Sequence, residues 1–573
     1  MAIVAAVLLT RCVVFVRIKK KDIIFNKFWN MENKFTREMT IGVGSAFTAN
    51  GALAYASYGT EIGTQWYYAP RYNASYAEIS RMMEKLWNEN PLVALRFTFY
   101  RRMITRKTYT LKGDNKSESV QRGLGNRSES LLRLLWIAEH HFDTFAENIH
   151  WLPVVGSWKD MWELLILNEQ HLHDEQKQYV KDVIFSRILS GCCSTLFSNL
   201  AIKYLPRIQS NKKAKTERAK ILNQLAKEFA ARYCYSMREY REIKSSGKAH
   251  NFQKLITAQK YDEINFSTIP GIALNKMVNS RFLANHNLID RYMKWIETKG
   301  ELNFNGYPYQ LVHPTEVFDR NIIIKQTCDK QFDNLIATAK ADNSIIKKNT
   351  LCVVDVSGSM KAMLPSSKST TLYDIGVGLA CYFAELNEGA FHNKAMVFSD
   401  VACPVTLPEG GISEKVRVFD EKTGFAFMNT NFQAVIDYIV NMRQTHPEIP
   451  LEDYPEVLLC VSDMQFDYTC RRKGGAASNI DAAMEKLLSA FPSEWVDNFK
   501  FIWWNVASNY DNLPSNIDHK NAIMMSGFDG ASINFILGTT DENETPNKPV
   551  LTTEEVIKKA LEQEILLNLK IAE

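Results

Sequence analysis

The sequence predicts a multidomain chain, with an all-α, helical-repeat-like domain followed by an α/β, doubly wound domain. Three observations predict it: helical periodicity over residues 76–300, an abrupt change to short apolar runs after Lys348, and a change in the sign of the charge near that point. At 573 residues the chain is too long for one hydrophobic core, so we expect at least two domains.

Apolar residues recur at helical spacing in the front part of the chain. Ile79, Met82, Met83 and Leu86 fall on one face of a helix over Tyr76–Trp87. Helices are also predicted at Pro91–Met103, Ser130–Phe145, Trp158–Leu167 (opened by the capping box Ser157-Trp158-Lys159-Asp160), Gln176–Leu189, Lys215–Met237, Gly271–Val278 and Leu288–Glu297. No strict repeat period is present. A curved binding array and an irregular all-α domain therefore both remain open.

After Lys348 short apolar runs alternate with amphipathic stretches. The runs, predicted as strands buried on both faces, are Leu351–Asp355, Lys394–Phe398, Val457–Val461, Phe499–Trp504 and Ala522–Met525. The helices predicted between them are Leu372–Leu386, Phe432–Met442 and Asn479–Leu488. This alternation is typical of a parallel, doubly wound sheet, which binds ligands outside the carboxyl ends of its strands.

These patterns divide the chain into five segments. They are an N-terminal extension, disordered or following a mis-called start (1–44), the helical domain (45–300), a connector (301–349), the α/β domain (350–545) and a C-terminal helix (546–573). The first 17 residues are apolar, but they are interrupted by Arg11 and are short for a bilayer span. A weak N-terminal membrane anchor therefore stays an alternative, and we do not expect a membrane partner.

The ten cysteines are scattered, and none lies in a CxxC pair. Several of them, such as Cys352, Cys381 and Cys460, lie within apolar runs, as free core thiols do. We therefore expect a reducing, cytoplasmic location without a disulfide framework or structural zinc.

The charge of the chain is divided unevenly. Residues 350–573 carry 17 Lys and Arg against 31 Asp and Glu, a balance of −14, whereas residues 1–349 have a balance of +18. The basic front part is suited to a polyanion, although attraction between the two parts or simple solubility explains it equally well.

The segment Ala201–Lys260 concentrates the positive charge, with 15 Lys and Arg against four Asp and Glu. Basic groups would neutralise phosphates, and the interleaved Tyr204, Tyr233, Tyr235 and Tyr240 could stack on bases of structured or single-stranded RNA. A solvated helix surface over core tyrosines is the competing interpretation. The candidate RNA-binding residues are Lys203, Arg207, Lys212, Lys213, Lys215, Arg218 and Lys220.

A group of hard oxygen donors follows the first predicted strand of the α/β part. Asp355, Ser357 and Ser359 have the spacing DxSxS, and Gly358 lets the loop turn so that the three side chains converge. Such oxygen donors suit Mg²⁺ or Mn²⁺ and are poor ligands for zinc.

The run VVDVSGSM resembles the metal-ion-dependent adhesion site of von Willebrand A domains. That family needs two further loops, and Thr430 (before a helix) and Asp463 (after a buried strand) match them in order. By resemblance, Ser357, Ser359 and Thr430 would contact Mg²⁺ (or Mn²⁺) directly, while Asp355 and Asp463 would hold it largely through water. The open position would take water or the carboxylate of a protein partner.

Small departures from that pattern are present. The last loop reads Ser462-Asp463-Met464 where the family commonly has glycine third, so we expect its backbone conformation to differ. Asp400, in the run Phe398-Ser399-Asp400, and Asp467 are expected near the same edge of the sheet, and we interpret both as surface or supporting residues rather than ligands.

Two wider resemblances cover more of the chain. The runs FTANGALAY, NPLVAL, IPGIAL, SDMQFD, FIWWN and MSGF resemble an uncharacterised family of giant DNA viruses, plants and fungi, over residues 45–540. A viral origin would imply the virion or the host cytoplasm. More loosely, the order of parts resembles Ro-type (TROVE plus von Willebrand A) RNA-binding proteins, in which helical repeats bind non-coding RNA.

The sequence thus predicts a non-enzymatic binding protein. The first hypothesis is an RNA-binding or ribonucleoprotein component with a Mg²⁺-dependent ligand contact in its A-type domain. The alternative is a protein–protein interaction scaffold that acts through the metal site without nucleic acid. Because the sequence has no P-loop, nucleophile elbow or HExxH run, we do not expect an enzyme.

Overall fold

The computed structural model describes residues 45–572, apart from 69–73, 113–114, 195–197, 211–212, 235, 248–250, 300–301, 342–345, 347, 365–366, 368, 424–428, 471–475, 508–511 and 534–551. The predicted N-terminal extension and its anchor alternative lie outside these residues. The described chain is helical in its front part and has a six-stranded mixed sheet behind it, which confirms the predicted order of a helical part and an α/β part.

The front part is built from short and medium helices. They are α1 (Glu61–Tyr67), α2 (Tyr76–Glu89), α3 (Pro91–Arg102), α4 (Arg127–His140), α5 (Phe142–Asn148), α6 (Leu152–Val155), α7 (Trp158–His171), α8 (Asp174–Cys193), α9 (Ser198–Tyr204), α10 (Glu217–Tyr233), α11 (Met237–Ser246), α12 (Asn251–Thr257), α13 (Gly271–Val278), α14 (Phe282–Asn285), α15 (Ile289–Glu297), α16 (Thr315–Arg320) and α17 (Ile322–Ala341). The predicted capping box is present, because Ser157 and Asp160 bond each other's backbone N–H groups at the start of α7.

Two β-hairpins interrupt this helical part, so the prediction that it is all-α is wrong. The first hairpin pairs β1 (Ser45–Phe47) with β2 (Leu53–Tyr55), and the second pairs β3 (Arg106–Lys112) with β4 (Asn115–Gln121). Both pairs are joined by glycine-containing connections, Asn50-Gly51 and Gly113-Asp114 in sequence, which are typical of tight hairpins. Helical periodicity in the flanking segments concealed these short strands.

Two predicted helices are each split in two. The helix predicted over Ser130–Phe145 is interrupted at His141, which has extended φ between α4 and α5. The one predicted over Lys215–Met237 ends at Tyr233, and Ser236 caps the start of α11 by accepting a hydrogen bond from the Glu239 N–H. A serine side chain that caps a new helix competes with continuation of the old one.

The sheet of the C-terminal part has the order β12-β11-β8-β5-β6-β7. Its strands are β5 (Thr350–Asp355), β6 (Lys394–Phe398), β7 (Ala402–Thr406), β8 (Val457–Ser462), β11 (Lys500–Asn505) and β12 (Ala522–Ser526). The helices are α18 (Leu372–Leu386), α19 (Ile412–Thr423), α20 (Gln433–Thr445), α21 (Asn479–Leu488), α22 (Ser493–Asn498), α23 (Thr553–Leu561) and α24 (Glu564–Leu567), and β9 (Thr469–Cys470) pairs with β10 (Ala476–Ala477) in a separate ribbon.

Five strands of this sheet are parallel, and the edge strand β7 is antiparallel to β6. The sequence analysis did not predict β7, which contains Pro404 and is only partly buried. Proline lacks an N–H for the ladder, so it is tolerated on an edge strand of this kind.

The two faces of the sheet pack into different cores. Val353, Cys460 and Trp503 face a core that includes α20 and α21. The alternate residues, such as Val354 and Trp504, belong to a core that continues through α18 into the helical part. The two parts of the chain therefore share one hydrophobic core.

Segments from both ends of the chain lie against β12. The Trp66 indole N–H in α1 donates to Met524 O at 3.0 Å, and the Ser526 hydroxyl donates to Trp66 O at 2.9 Å. The Thr553 hydroxyl at the start of α23 accepts a hydrogen bond from Met524 N at 3.1 Å. The segment from β1 to α1, which the sequence grouped with the helical domain, thus packs on the α/β part.

Within the described ranges, no helix combines the length and the apolar character needed to cross a membrane.

Candidate functional site

The carboxyl ends of β5 and β8 form the centre of the candidate site. These two strands are parallel neighbours, but the chain leaves β5 towards β6 on one side and leaves β8 towards β11 on the other. A crevice opens where connections diverge in this way, and open α/β sheets bind ligands there.

Asp355 is the last residue of β5, and its side chain is fully buried. The Ser357 N–H donates to Asp355 Oδ1 at 2.9 Å, and the Ser462 hydroxyl at the end of β8 donates to Asp355 Oδ2 at 2.6 Å. Both carboxylate oxygens are therefore fixed, and one of these bonds joins the two central strands.

The two serines of the DxSxS run lie beside Asp463. The Ser357 and Ser359 hydroxyl oxygens are 3.0 Å apart, and the Ser359 hydroxyl also bonds the Asp463 carboxylate. The Gln465 N–H donates to Asp463 Oδ1 at 3.1 Å. The structure therefore brings Asp355, Ser357, Ser359 and Asp463 into one hydrogen-bonded group, in which only Ser359 is exposed.

Two buried carboxyl groups so close together are electrostatically unfavourable when both are ionised. Burial, followed by the negative charge of Asp463, raises the pKa of Asp355 to about 7. Burial also raises the pKa of Asp463, against the effect of its bonds from Ser359 and Gln465. A divalent cation bound here would remove this cost, and the hydroxyl and carboxylate donors are those that Mg²⁺ and Mn²⁺ prefer.

Thr430 is buried and joins this group through the segment after Asp463. Its N–H donates to Asp467 Oδ2 at 2.9 Å, and the Asp467 N–H donates to Thr430 O, also at 2.9 Å. Asp467 thus fixes the threonine loop, which agrees with its interpretation as a supporting residue. Asp400 supports the same loop, because its backbone carbonyl accepts a 3.2 Å bond from the Asn431 amide.

The hairpin of β1 and β2 also contacts this site, which the sequence analysis missed. Asn50 lies in the connection between β1 and β2. Its side-chain amide donates to Gln465 O at 2.7 Å and to Asp467 Oδ1 at 3.0 Å, and it lies 3.5 Å from Thr430 Oγ1. The Asn50-Gly51 dipeptide was a signal for the hairpin turn, but nothing in the sequence connects it to residues more than 370 positions away.

Met464 stands where the resembled pattern commonly has glycine, and its backbone has a conformation that favours glycine. Its φ is +61°, in the left-handed region, and its side chain is buried. Glycine adopts this conformation freely, whereas for methionine it costs about 1–2 kcal/mol of conformational free energy. The Met464 N–H donates to the Ser462 hydroxyl at 2.8 Å, the same hydroxyl that bonds Asp355.

A second candidate site is a basic groove between α9, α11 and α12, with a volume of about 800 Å³. Among the described residues that line it are five cations and no carboxylate: Lys203, Arg207, Arg241, Lys244 and Lys254. Burial, and then the charges of Arg207 and Lys203, lower the pKa of Lys244. Positive charge is therefore concentrated here, and no carboxylate among the described lining residues neutralises it.

The sequence-predicted basic residues are divided by the structure. Lys203 and Arg207 line the groove, Lys213 and Lys215 are exposed outside its lining, and Lys212 lies outside the described residues. Arg218 pairs with Glu163, and Lys220 pairs with Glu217 at 3.3 Å. Arg241, Lys244 and Lys254 were missed, because only the fold brings α11 and α12 beside α9.

The predicted stacking role of the tyrosines does not fit Tyr240. It is buried in the core, and its hydroxyl donates to Pro206 O at 2.8 Å. Lys203 covers the ring of Tyr204 at 5.8 Å, and Tyr235 lies outside the described residues. The groove therefore offers charge rather than an open aromatic platform.

One further carboxylate and histidine cluster, Glu385, His392 and Glu409, has the spacing of a metal site. The buried Lys415 ammonium already lies 2.8 Å from Glu385 Oε2, and His392 Nε2 lies 3.3 Å from Glu409 Oε1. Because Lys415 neutralises Glu385, we interpret the cluster as structural.

Comparison with known proteins gives similarity without an assigned activity. Residues 349–568 match a domain of unknown function (DUF7788), and residues 48–187 match another (DUF2828). The chain is 22% identical over 536 residues to an uncharacterized protein of Acanthamoeba polyphaga mimivirus, covering 87% of this chain and 85% of that protein. No solved structure matches the chain. It is thus similar to uncharacterised families and to a giant-virus protein.

Proposed function

We propose that the C-terminal part is a von Willebrand A-type domain that binds Mg²⁺ (or Mn²⁺) and uses it to hold a carboxylate of a partner. The observation that carries this proposal is the contact between the loops after β5 and β8, which brings two buried carboxyl groups together beside two serine hydroxyls. The sheet order and the single antiparallel strand β7 support the fold assignment.

In this proposal each loop has its own role. Ser357, Ser359 and Thr430 supply hydroxyl ligands, and Asp355 and Asp463 supply charge largely through water, as the family resemblance implies. The cation adds a Lewis-acidic position that a partner's carboxylate can occupy. The proposed role is binding rather than catalysis, because both oxygens of the buried Asp355 already accept hydrogen bonds and are poorly placed to take a proton from a substrate.

Titration calorimetry with MgCl₂ and MnCl₂ tests this assignment on the full chain. We expect a single site that Asp463→Asn abolishes. Asp437→Asn is the matched control, since Asp437 is an exposed carboxylate of the same domain, paired with Lys486. Absence of cation binding by the unsubstituted protein, or equal binding by Asp463→Asn, would contradict the proposal.

A second candidate function, RNA binding by the helical part, is favoured by the basic groove. Five cations around one groove would neutralise backbone phosphates, and each neutralised phosphate releases condensed counterions. The buried Tyr240 favours contact with phosphates over base stacking, so little sequence preference is expected. The order of a helical part before an A-type domain, as in Ro-type proteins, agrees with this hypothesis.

Fluorescence anisotropy with labelled single-stranded and hairpin RNA tests the second candidate. Binding should weaken steeply between about 50 and 200 mM salt, and the double variant Arg241→Glu, Lys254→Glu should weaken it further. Both residues are exposed, so the fold should persist. The double variant Lys213→Glu, Lys215→Glu makes the same charge change at two exposed residues outside the groove. An equal loss from both variants would assign the binding to net charge rather than to the groove.

A further inference from the structure

Four large apolar side chains are exposed on segments that carry the loops of the candidate cation site or are bonded to them. Phe47, Met363, Val401 and Tyr468 are exposed to 64, 61, 57 and 54% respectively. We call these four residues the apolar rim. Single exposed apolar residues are ordinary on protein surfaces, but four on the segments that bound one site are a feature of an interaction surface.

Phe47 reaches this position because the β1–β2 hairpin is fixed to the aspartate loop. The Thr48 hydroxyl donates to Phe466 O at 2.6 Å, and the Ala49 N–H donates to Gln465 Oε1 at 2.7 Å. Gly51 pairs with Asp467 as an isolated antiparallel bridge. These bonds join the residue after Phe47 to the residues just before Tyr468.

Of the other rim residues, Met363 and Tyr468 lie on loops that carry the site, and Val401 lies on the turn between β6 and β7, which is bonded to the threonine loop. Met363 is four residues after Ser359. Val401 is two residues after Ser399, whose hydroxyl donates to Asn429 O, next to Thr430, at 2.9 Å. Tyr468 directly follows Asp467, which fixes the threonine loop. The rim therefore has one member on the loop after β5, one on the turn between β6 and β7, one on the loop after β8 and one on the hairpin.

The charge around the site limits what can bind. Residues 350–573 have a balance of −14, so the part of the chain that carries the site has a net charge that repels a polyanion. A single carboxylate would meet the cation alone, while its neighbours contacted the rim. Apolar and aromatic residues around a buried polar contact are the usual source of affinity in protein interfaces.

We propose that the apolar rim and the cation site together dock a segment of a partner protein in which an Asp or Glu is flanked by apolar side chains. The carboxylate would occupy the open cation position, and the flanking residues would pack on Phe47, Tyr468, Met363 and Val401. This inference rests on the proposed cation site. It adds the class of partner and the residues that select it.

Panning a random peptide library on the immobilised full chain tests the inference, with binding in MgCl₂ and elution by EDTA. We expect the eluted peptides to carry an acidic residue beside aromatic or aliphatic ones. A synthetic peptide of the enriched sequence should lose affinity about tenfold or more, equivalent to about 1.4 kcal/mol, on the double substitution Phe47→Ser, Tyr468→Ser. Calorimetric Mg²⁺ affinity should not change in that variant.

Leu488→Ser is the matched control, because Leu488 is exposed to 51% at the end of α21 and belongs to none of the site loops. This inference alone would be overturned if the protein bound Mg²⁺ but the enriched peptides lacked apolar residues beside the acidic one. The same would follow if the rim substitutions left the affinity for the peptide unchanged. Failure of the protein to bind Mg²⁺ would overturn both the proposed function and the inference. The inference would also be overturned if RNA displaced the peptide from the site and bound the rim variant more weakly than the unsubstituted protein.

Discussion

The Asn50 amide donates a 3.0 Å hydrogen bond to Asp467 Oδ1, although the two residues are 417 positions apart in the chain. Asp467 in turn accepts a bond from the Thr430 N–H. A hairpin near the start of the described chain therefore supports a loop of the candidate site, which otherwise lies in the α/β part.

Asn50→Ala should weaken Mg²⁺ binding several-fold in calorimetry, because the threonine loop loses an external support. The free energy of unfolding should fall by about 1 kcal/mol, as for the loss of a typical hydrogen bond. Asn521→Ala is the control, because the Asn521 amide donates to Val496 O at 2.8 Å and to Phe499 O at 2.9 Å, outside the site loops. Unchanged cation affinity in Asn50→Ala would show that the hairpin does not position the site.

The pKa of Asp355 gives a pH dependence with a definite sign. Its pKa is about 7 in the folded protein, above the ordinary value of an unfolded aspartate. Between these values the folded state binds more protons, so without divalent cations the stability should fall as pH rises from about 4 to about 7. Asp355→Asn should flatten this part of the profile in urea denaturation with EDTA. An identical slope in both proteins would contradict the assignment.

Divalent cations should stabilise the folded protein. At a free Mg²⁺ concentration of about 100 Kd, the free energy of unfolding should rise by about 2.7 kcal/mol, because only the folded state assembles the three loops. Ser359→Ala should reduce this gain, since it removes one of the proposed ligands. Ser489→Ala, an exposed serine at the end of α21, should retain it. Urea denaturation with and without MgCl₂ measures the difference.

The left-handed backbone at Met464 predicts an unusual order of stabilities. Met464→Ala and Met464→Gly both lose the buried side chain, but glycine should be the more stable by about 1 kcal/mol because φ is +61°. Met525, buried in strand β12, is the control, since alanine should be better than glycine there. Denaturant midpoints of the four variants measure both orders. The same order at both positions would show that Met464 carries no strain.

Much of the secondary structure could be predicted because hydrophobic spacing reports which face of an element is buried. The strands ending at Asp355 and Phe398 were predicted with their observed C-terminal ends, and so was helix α18. The β1–β2 hairpin and the edge strand β7 were missed, because strands of three to five residues carry too few alternations to be distinguished from loops.

The candidate site was predictable as far as strand order allowed. Asp355 was found because it follows a predicted strand, and the carboxyl ends of parallel strands lie at the ligand-binding edge of a sheet. Asp463 was found through the family resemblance, and Asp467 was interpreted as a supporting residue near the same edge. Asn50 and Gln465 were not found, because their contacts depend on how the hairpin folds back across the sheet. The groove residues Arg241 and Lys244 were missed for the same reason.

The sequence by itself determined the order of a helical part and an α/β part, the five parallel strands and the oxygen donors at their ends. These follow from local periodicity and spacing, which act over a few residues. Only the tertiary structure decided that both parts share one core, that the β1–α1 segment packs on the sheet, and that the β1–β2 hairpin is bonded to the loops of the candidate site. Those features depend on contacts between residues hundreds of positions apart. The free energy gained by burying apolar surface depends on the area removed from water and not on the separation of the residues along the chain.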